Sequence, residues 1–245
     1  MHKQLTFYNN KLSSNGMGVA IALTEAKASF SYYEIDFLNK PEWFTTLINP
    51  AGQVPAMTYG GPSVLPSSPS PESAKLAEST ILLELVADLY PSSGLLPSDP
   101  VKRAKVRFFT HTVVTRYLAS YARWWLRGER GAWRGVYEGA LALQALLPEN
   151  GEGYAVGEEF TIADCDFAPL AGRVRIAYER GIGRFDPAEA PLLREAMDGP
   201  ELERFRRYLD RVMARPSVQA HYGEEWIAEG TKDLVAIFNK RFSEA

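Results

Sequence analysis

The apolar positions follow two different rhythms, one on each side of residues 91–100. Before that stretch, short and long periods alternate. Leu5–Tyr8 is a compact apolar run that predicts a strand, and Asn15–Ala26 predicts a helix. Tyr33, Ile35 and Phe37 alternate with Tyr32, Glu34 and Asp36, the period of two that a half-buried strand over 32–37 needs. Pro41-Glu42-Trp43-Phe44 predicts a short helix with proline in its first turn. Asn49-Pro50-Ala51-Gly52 punctuates a loop. Pro55–Tyr59 is then extended, with Val54-Pro55 the bond where a cis peptide is expected. Residues 62–71 hold eight Pro or Ser in ten, which predicts an exposed loop. Glu78–Leu89 predicts a helix with Ile81, Leu82, Leu85 and Leu89 on one side. The order β-α-β, then β-β-α, predicts a small mixed sheet with helices packed on it.

Pro91–Pro100 carries three prolines, a glycine and an Asp-Pro step, and predicts a linker at 92–100 between a first domain over 1–91 and a second over 101–245. Beyond it the strand signals stop. Val101–Leu126 places Val106, Phe109, Val113, Tyr117 and Tyr121 at spacings of three and four. Ala132–Leu147 and Thr161–Tyr178 predict further helices. Glu201–Arg215, with Leu202, Phe205, Leu209, Val212 and Met213 on one face, is stopped by Pro216, and Glu225–Phe242 predicts a last helix. The second domain is expected to be all-α.

Composition narrows the chemistry. With 245 residues, the chain can bury one large core or two modest ones. A net charge of −3 argues against a nucleic-acid partner. Cys165, the one cysteine, cannot form an internal disulfide or a CxxC pair. It lies in an apolar stretch and is expected in the core. His2, His111 and His221 show no ligand spacing, so no metal is expected. No apolar run approaches the roughly 20 residues of a membrane span, and the first ten residues lack a signal-peptide core. The expectation is a cytoplasmic protein with no membrane partner.

The chemistry-bearing stretch is Lys11-Leu12-Ser13-Ser14-Asn15-Gly16-Met17-Gly18, a strand-to-helix turn with two hydroxyls at a helix start. It reads either as a capped turn, since serine oxygens accept from first-turn N–H groups, or as an anion or thiolate site, with Ser13 or Ser14 the donor beside the helix dipole. A second capping signal is Thr161-Ile162-Ala163-Asp164, whose hydroxyl and carboxylate bond reciprocally to free N–H groups.

Further motifs stand in a fixed order. They are Asn39-Lys40-Pro41-Glu42-Trp43-Phe44, Asn49-Pro50 with Val54-Pro55, Glu78-Ser79, Leu95-Leu96-Pro97 and Thr161–Asp164. Together, over essentially the whole chain, they resemble the cytosolic glutathione transferases. The first resembles the Omega class, and the Pro/Ser-rich insertion before Glu78 is similar to fungal Omega-like members. The resemblance implies a thioredoxin-like N-terminal domain, an all-helical C-terminal domain, glutathione as cosubstrate and a homodimer. It implies Lys40 at the glycyl carboxylate, Val54 before cis-Pro55 pairing with the cysteinyl backbone, and Glu78 and Ser79 at the γ-glutamyl end. For a hydrophobic or aromatic second ligand between the domains it points to Tyr121, Trp124 and Trp125, with Arg173 and Trp226 opposite.

One departure matters most. Omega enzymes generally carry Cys-Pro at the first turn, and ungapped counting puts Ser13 at the cysteine position and Ser14 at the proline position, with Ser14 the fallback donor if the turn shifts by one. A serine forms no mixed disulfide, so thioltransferase chemistry is not expected. A serine hydroxyl can instead donate to the sulfur of bound glutathione and favour its thiolate. The expected activity is a detoxifying conjugation of aromatic electrophiles. The alternatives are a glutathione-binding ligandin that carries aromatic or polyphenolic compounds, and a non-catalytic interaction module.

Overall fold

The computed structural model describes residues 3–243, so the expectation about His2 lies outside the described residues. The chain divides into two compact units, Met1–Leu96 and Pro97–Ala245, and the division falls inside the Pro/Gly/Ser stretch.

The first unit is built on a four-stranded sheet in the order β2-β1-β3-β4. Strand β1, Leu5–Asn9, is buried at every position, as an apolar run between two neighbours should be. It pairs in parallel with β2, Ser31–Glu34, and antiparallel with β3, Ala56–Tyr59. β3 in turn pairs antiparallel with β4, Ala74–Ala77. Helices α1 (Ser14–Glu25), α2 (Glu42–Leu47) and α3 (Ser79–Leu89) complete the unit. Tyr8, Ile35, Phe44, Ile48 and Ala56 form a core cluster against which Trp43 and Val54 pack.

Three expectations are corrected here. β2 stops at Glu34, although burial still alternates through Ile35; the Asp36 carboxylate then accepts from the Leu38 and Asn39 N–H groups at 2.7 and 3.3 Å and turns the chain. The inner face of α3 is Leu82, Leu83, Val86 and Ala87, while Ile81 is exposed. The run Ile81–Leu85 is almost wholly apolar, so spacing alone could not choose its face. The loop over 62–71 has no regular structure, yet it is anchored. The Gln4 amide exchanges two hydrogen bonds of 2.8 Å with the Val64 backbone, and the Tyr8 hydroxyl donates to the Pro66 carbonyl at 2.8 Å.

The second unit is helical apart from an isolated bridge between Tyr154 and Gly157. Pro100–Thr112 continues through wider π-helical turns, Val113–Leu118 and Ala122–Leu126, around the short Ala119–Tyr121, and the five expected inward residues from Val106 to Tyr121 are buried. Trp133–Gln144, Ile162–Arg180, Glu203–Met213 and Glu224–Ser243 follow. A helix over Glu189–Asp198, with Ala190, Leu193 and Met197 buried, was not among the elements the apolar pattern predicts. Ile162–Arg180 is buried almost all round, including Cys165. Its start is the capping box: the Thr161 hydroxyl accepts from the Ala163 N–H, and the Asp164 carboxylate accepts from the Thr161 N–H at 2.8 Å.

Candidate functional site

The α/β unit contains a cavity of about 340 Å³ lined by Asn15, Phe37, Lys40, Asn49, Gly52, Gln53, Val54, Pro55, Glu78 and Ser79. Local chemistry fixes each wall. The buried Asn49 side chain donates to the Gln53 carbonyl at 2.8 Å and accepts from the Ala51 N–H at 3.2 Å, closing an Asx turn. Gly52 takes φ +63 within that turn, a conformation glycine adopts without steric cost. The turn delivers the chain into the cis Val54-Pro55 bond and then into β3. At the opposite wall Glu78 stands at φ +70, strained for a residue with a β-carbon, and it caps α3 with no hydrogen bond from its side chain. Its carboxylate therefore contributes to the cavity and not to the helix end. Lys40 and Glu78 are exposed and of opposite sign, and among the described residues neither enters an ion pair. The cavity thus presents one free cation, one free anion, a hydroxyl at a helix start and a strand end preceded by a cis proline. An extended zwitterion with carboxylates at both ends finds a partner for each group here.

The turn before α1 lies at one side. Ser13 is the N-cap of α1, and its Oγ accepts from the Gly16 N–H at 3.1 Å. That bond uses a lone pair and leaves the hydroxyl proton free to donate. Ser14 opens the helix. Neither serine lines the cavity, whereas Asn15 does. Asn15 lies in the Lys11–Gly18 turn, where the serines are the expected donors, and Phe37 stands in no motif; a loop and a helix start that converge only in three dimensions leave no local signal of which side chain enters the cavity.

The residues expected around the second ligand belong to the helical unit. Tyr121 stacks on Trp125 at 5.8 Å between ring centroids, and the Trp125 indole N–H donates to the Ile182 carbonyl at 2.9 Å. The Arg173 guanidinium donates to the Thr231 hydroxyl at 3.1 Å. Burial lowers the pKa of Arg173, an effect Tyr121 and Tyr222 oppose; burial also raises that of the Tyr121 hydroxyl, which Arg173 opposes. Trp226 is partly buried, with its indole over Gly223. Trp124 is a correction. It is fully buried, stacked on Phe185 at 3.8 Å, with its N–H donated to Glu189 at 3.1 Å, so it is a core residue with no face left for a ligand. Among the described residues no group of three or more His, Cys, Asp or Glu could hold a metal ion, and no helix is long and apolar enough to cross a membrane.

No model of a protein family matches the chain. Solved structures do. Glutathione transferase Omega 1C from Trametes versicolor is 38% identical, with a TM-score of 0.90 over 96% of this chain and 98% of that one. Omega 2S from the same fungus, solved in complex with 2,4-dihydroxybenzophenone, is 35% identical, with a TM-score of 0.87 over 95% and 100% of the two chains. A probable maleylacetoacetate isomerase of Caenorhabditis elegans is 30% identical over 174 residues, 66% of this chain and 75% of that protein. With identity of this order spanning whole chains and a shared architecture, the chain belongs to the glutathione transferase family, beside its fungal Omega class.

Proposed function

We propose that this chain conjugates glutathione to hydrophobic or aromatic electrophiles. The cavity holds the tripeptide. Lys40 meets the glycyl carboxylate, the Val54 backbone pairs with the cysteinyl residue, and Glu78 and Ser79 take the γ-glutamyl amine and carboxylate. The Ser13 hydroxyl donates to the sulfur, and the dipole of α1 adds to the preference for thiolate over thiol. The thiol proton leaves to solvent, the thiolate attacks the electrophile, and the protein forms no covalent bond. One observation supports this reading above the others: residues from four separate segments, Lys40, Val54-Pro55, Glu78-Ser79 and the start of α1, line one cavity.

Turnover of chlorodinitrobenzene by wild type and Ser13→Ala tests it. Wild-type turnover with a loss of about 10- to 100-fold in kcat/KM on removing the hydroxyl is expected, the worth of one hydrogen bond to a charged group. Incubated with oxidised glutathione, Ser13→Cys should attack its disulfide, release one reduced glutathione and keep the other as a mixed disulfide visible by mass spectrometry; its absence would place Ser14 or Asn15, and not Ser13, at the sulfur. A second reading, carriage of aromatic compounds with little catalysis, draws support from the dihydroxybenzophenone bound by the similar Omega 2S protein. Tight binding of that compound by a wild type that shows no turnover would favour carriage. Detoxification as the physiological role, cytoplasmic residence and a homodimeric assembly belong to the same proposal.

A further inference from the structure

The segment over 62–71 belongs to no regular element and lines no part of the cavity that holds Lys40 and Glu78, yet the fold holds it at both ends. At its start the Gln4 amide clasps the Val64 backbone, and the Tyr8 hydroxyl donates to the Pro66 carbonyl. At its end the Ser70 carbonyl accepts from the Ser73 hydroxyl at 2.8 Å and from the Lys75 ammonium at 2.5 Å. Between these anchors the Ser68 N–H donates to the Leu65 carbonyl at 2.9 Å. That bond closes a four-residue turn with Pro66 at its second position, where the fixed φ of proline suits the turn. Ser67 and Ser68 are exposed at its tip.

Ser68-Pro69 and Ser70-Pro71 are the two Ser-Pro steps of the chain, and the fold separates them. Ser70 is 4% exposed, and its hydroxyl accepts from the Glu72 N–H at 3.2 Å. Ser68 faces solvent, and Pro69 biases its backbone toward the extended region. An enzyme that modifies a serine hydroxyl reads the residues on either side of it. A proline directly after the serine takes away an N–H donor and fixes the chain direction, so it suits a cleft shaped for that ring. Pro66, two residues before Ser68, restricts the approach from the other side. Enzymes that recognise a serine by basic neighbours find none here, because no lysine or arginine stands between Lys40 and Lys75.

From an exposed Ser-Pro step on an anchored turn, flanked by prolines and by no cation, we propose that Ser68 is a phosphorylation site for a proline-directed serine kinase. The Ser68 Oγ attacks the γ-phosphorus of magnesium-bound ATP. A new O–P bond forms, the bond from that phosphorus to the β,γ-bridging oxygen breaks, the hydroxyl proton passes to a carboxylate of the kinase, and ADP leaves. The product carries close to two negative charges and three acceptor oxygens. Residues 41–74 offer it no cation, so the dianion stands toward solvent and does not fold back on its own segment. The site does not depend on the proposed glutathione chemistry.

The test uses full-length protein with magnesium ATP and either a mitogen-activated protein kinase or cAMP-dependent protein kinase, a proline-directed and a basophilic enzyme, each first shown to be active on its standard peptide. The proline-directed kinase should add one phosphoryl group per chain, placed on Ser68 by tandem mass spectrometry, and the basophilic kinase should leave Ser68 unmodified. Ser68→Ala should abolish the labelling, Ser67→Ala and Ser70→Ala should keep its rate within about twofold, and Pro69→Ala should slow it by about tenfold or more. Thermal unfolding of each variant checks that the fold is kept. The proposal is overturned if the active proline-directed kinase leaves native wild type unlabelled, or if the label falls on Ser67 or Ser70. It is equally overturned if Ser68→Ala or Pro69→Ala is labelled as fast as wild type, or if the basophilic kinase modifies Ser68 as readily.

Discussion

The polar cavity of the α/β unit is made of backbone held out of regular structure, whereas the aromatic cluster of the helical unit is made of side chains held inside it. Around the cavity, an Asx turn and a positive φ at Glu78 hold the backbone out of regular structure beside Lys40 and Glu78, which enter no ion pair among the described residues. In the helical unit the two indoles do the opposite: the Trp124 and Trp125 N–H groups are both donated to protein partners, and Arg173 donates from one of its nitrogens to Thr231. Polar groups without partners mark a place where a ligand is awaited; satisfied ones mark a core.

The largest effect that would break this contrast concerns Trp124. If it is core, Trp124→Ala should cost about 3–5 kcal/mol of stability in denaturant titration, with glutathione affinity per folded molecule unchanged. A variant of undiminished stability but altered ligand binding would return Trp124 to a binding role.

Asp166 sharpens the contrast from within the helical unit. Two residues from the fully bonded Asp164, it is buried, and one of its carboxylate oxygens has no hydrogen-bond partner. Burial pushes its pKa up to about 7. The unfolded carboxyl titrates near 3.9, so between that value and about 7 the native state holds the proton that the unfolded state has lost. Stability from this group therefore falls as pH rises through that window and is flat above it. Asp166→Asn should remove the fall, with an advantage over wild type absent near pH 4 and on the order of 4 kcal/mol at pH 8, measured by thermal unfolding across pH. A pH-independent difference would mean that Asp166 is solvated.

The smaller effect lies in the cavity. Lys40→Met should weaken glutathione binding by about tenfold in calorimetry while leaving the unfolding midpoint of the free protein in place, because Lys40 is exposed and makes no ion pair. A change in the midpoint without a change in affinity would make it a structural residue.

What could be read from the chain follows the same division. Two cavity residues are legible because each occupies a position whose backbone demands its type, Pro55 after a cis bond and Gly52 at positive φ, and Ser13 beside them is legible as a helix cap. Asn15 and Phe37 escape because nothing local requires them; only the fold carries them to the cavity. In the helices, Val106 through Tyr121 announce their face by spacing, whereas Ile81–Leu85 is too uniformly apolar to do so. Aromatic residues at helical spacing have the same pattern whether they pack or bind, and only their burial and partners separate Trp124 from a binding residue.

In the proposed function, the turn before α1 polarises a bound thiol through Ser13. The most direct test is the pKa of the glutathione thiol on the enzyme, followed by thiolate absorbance across pH in wild type, Ser13→Ala and Asn15→Ala. Wild type should titrate well below the roughly 8.5 of a free thiol, Ser13→Ala should raise that value by about one, and Asn15→Ala should leave it in place. A bound thiol that titrates identically in wild type and Ser13→Ala would contradict the account.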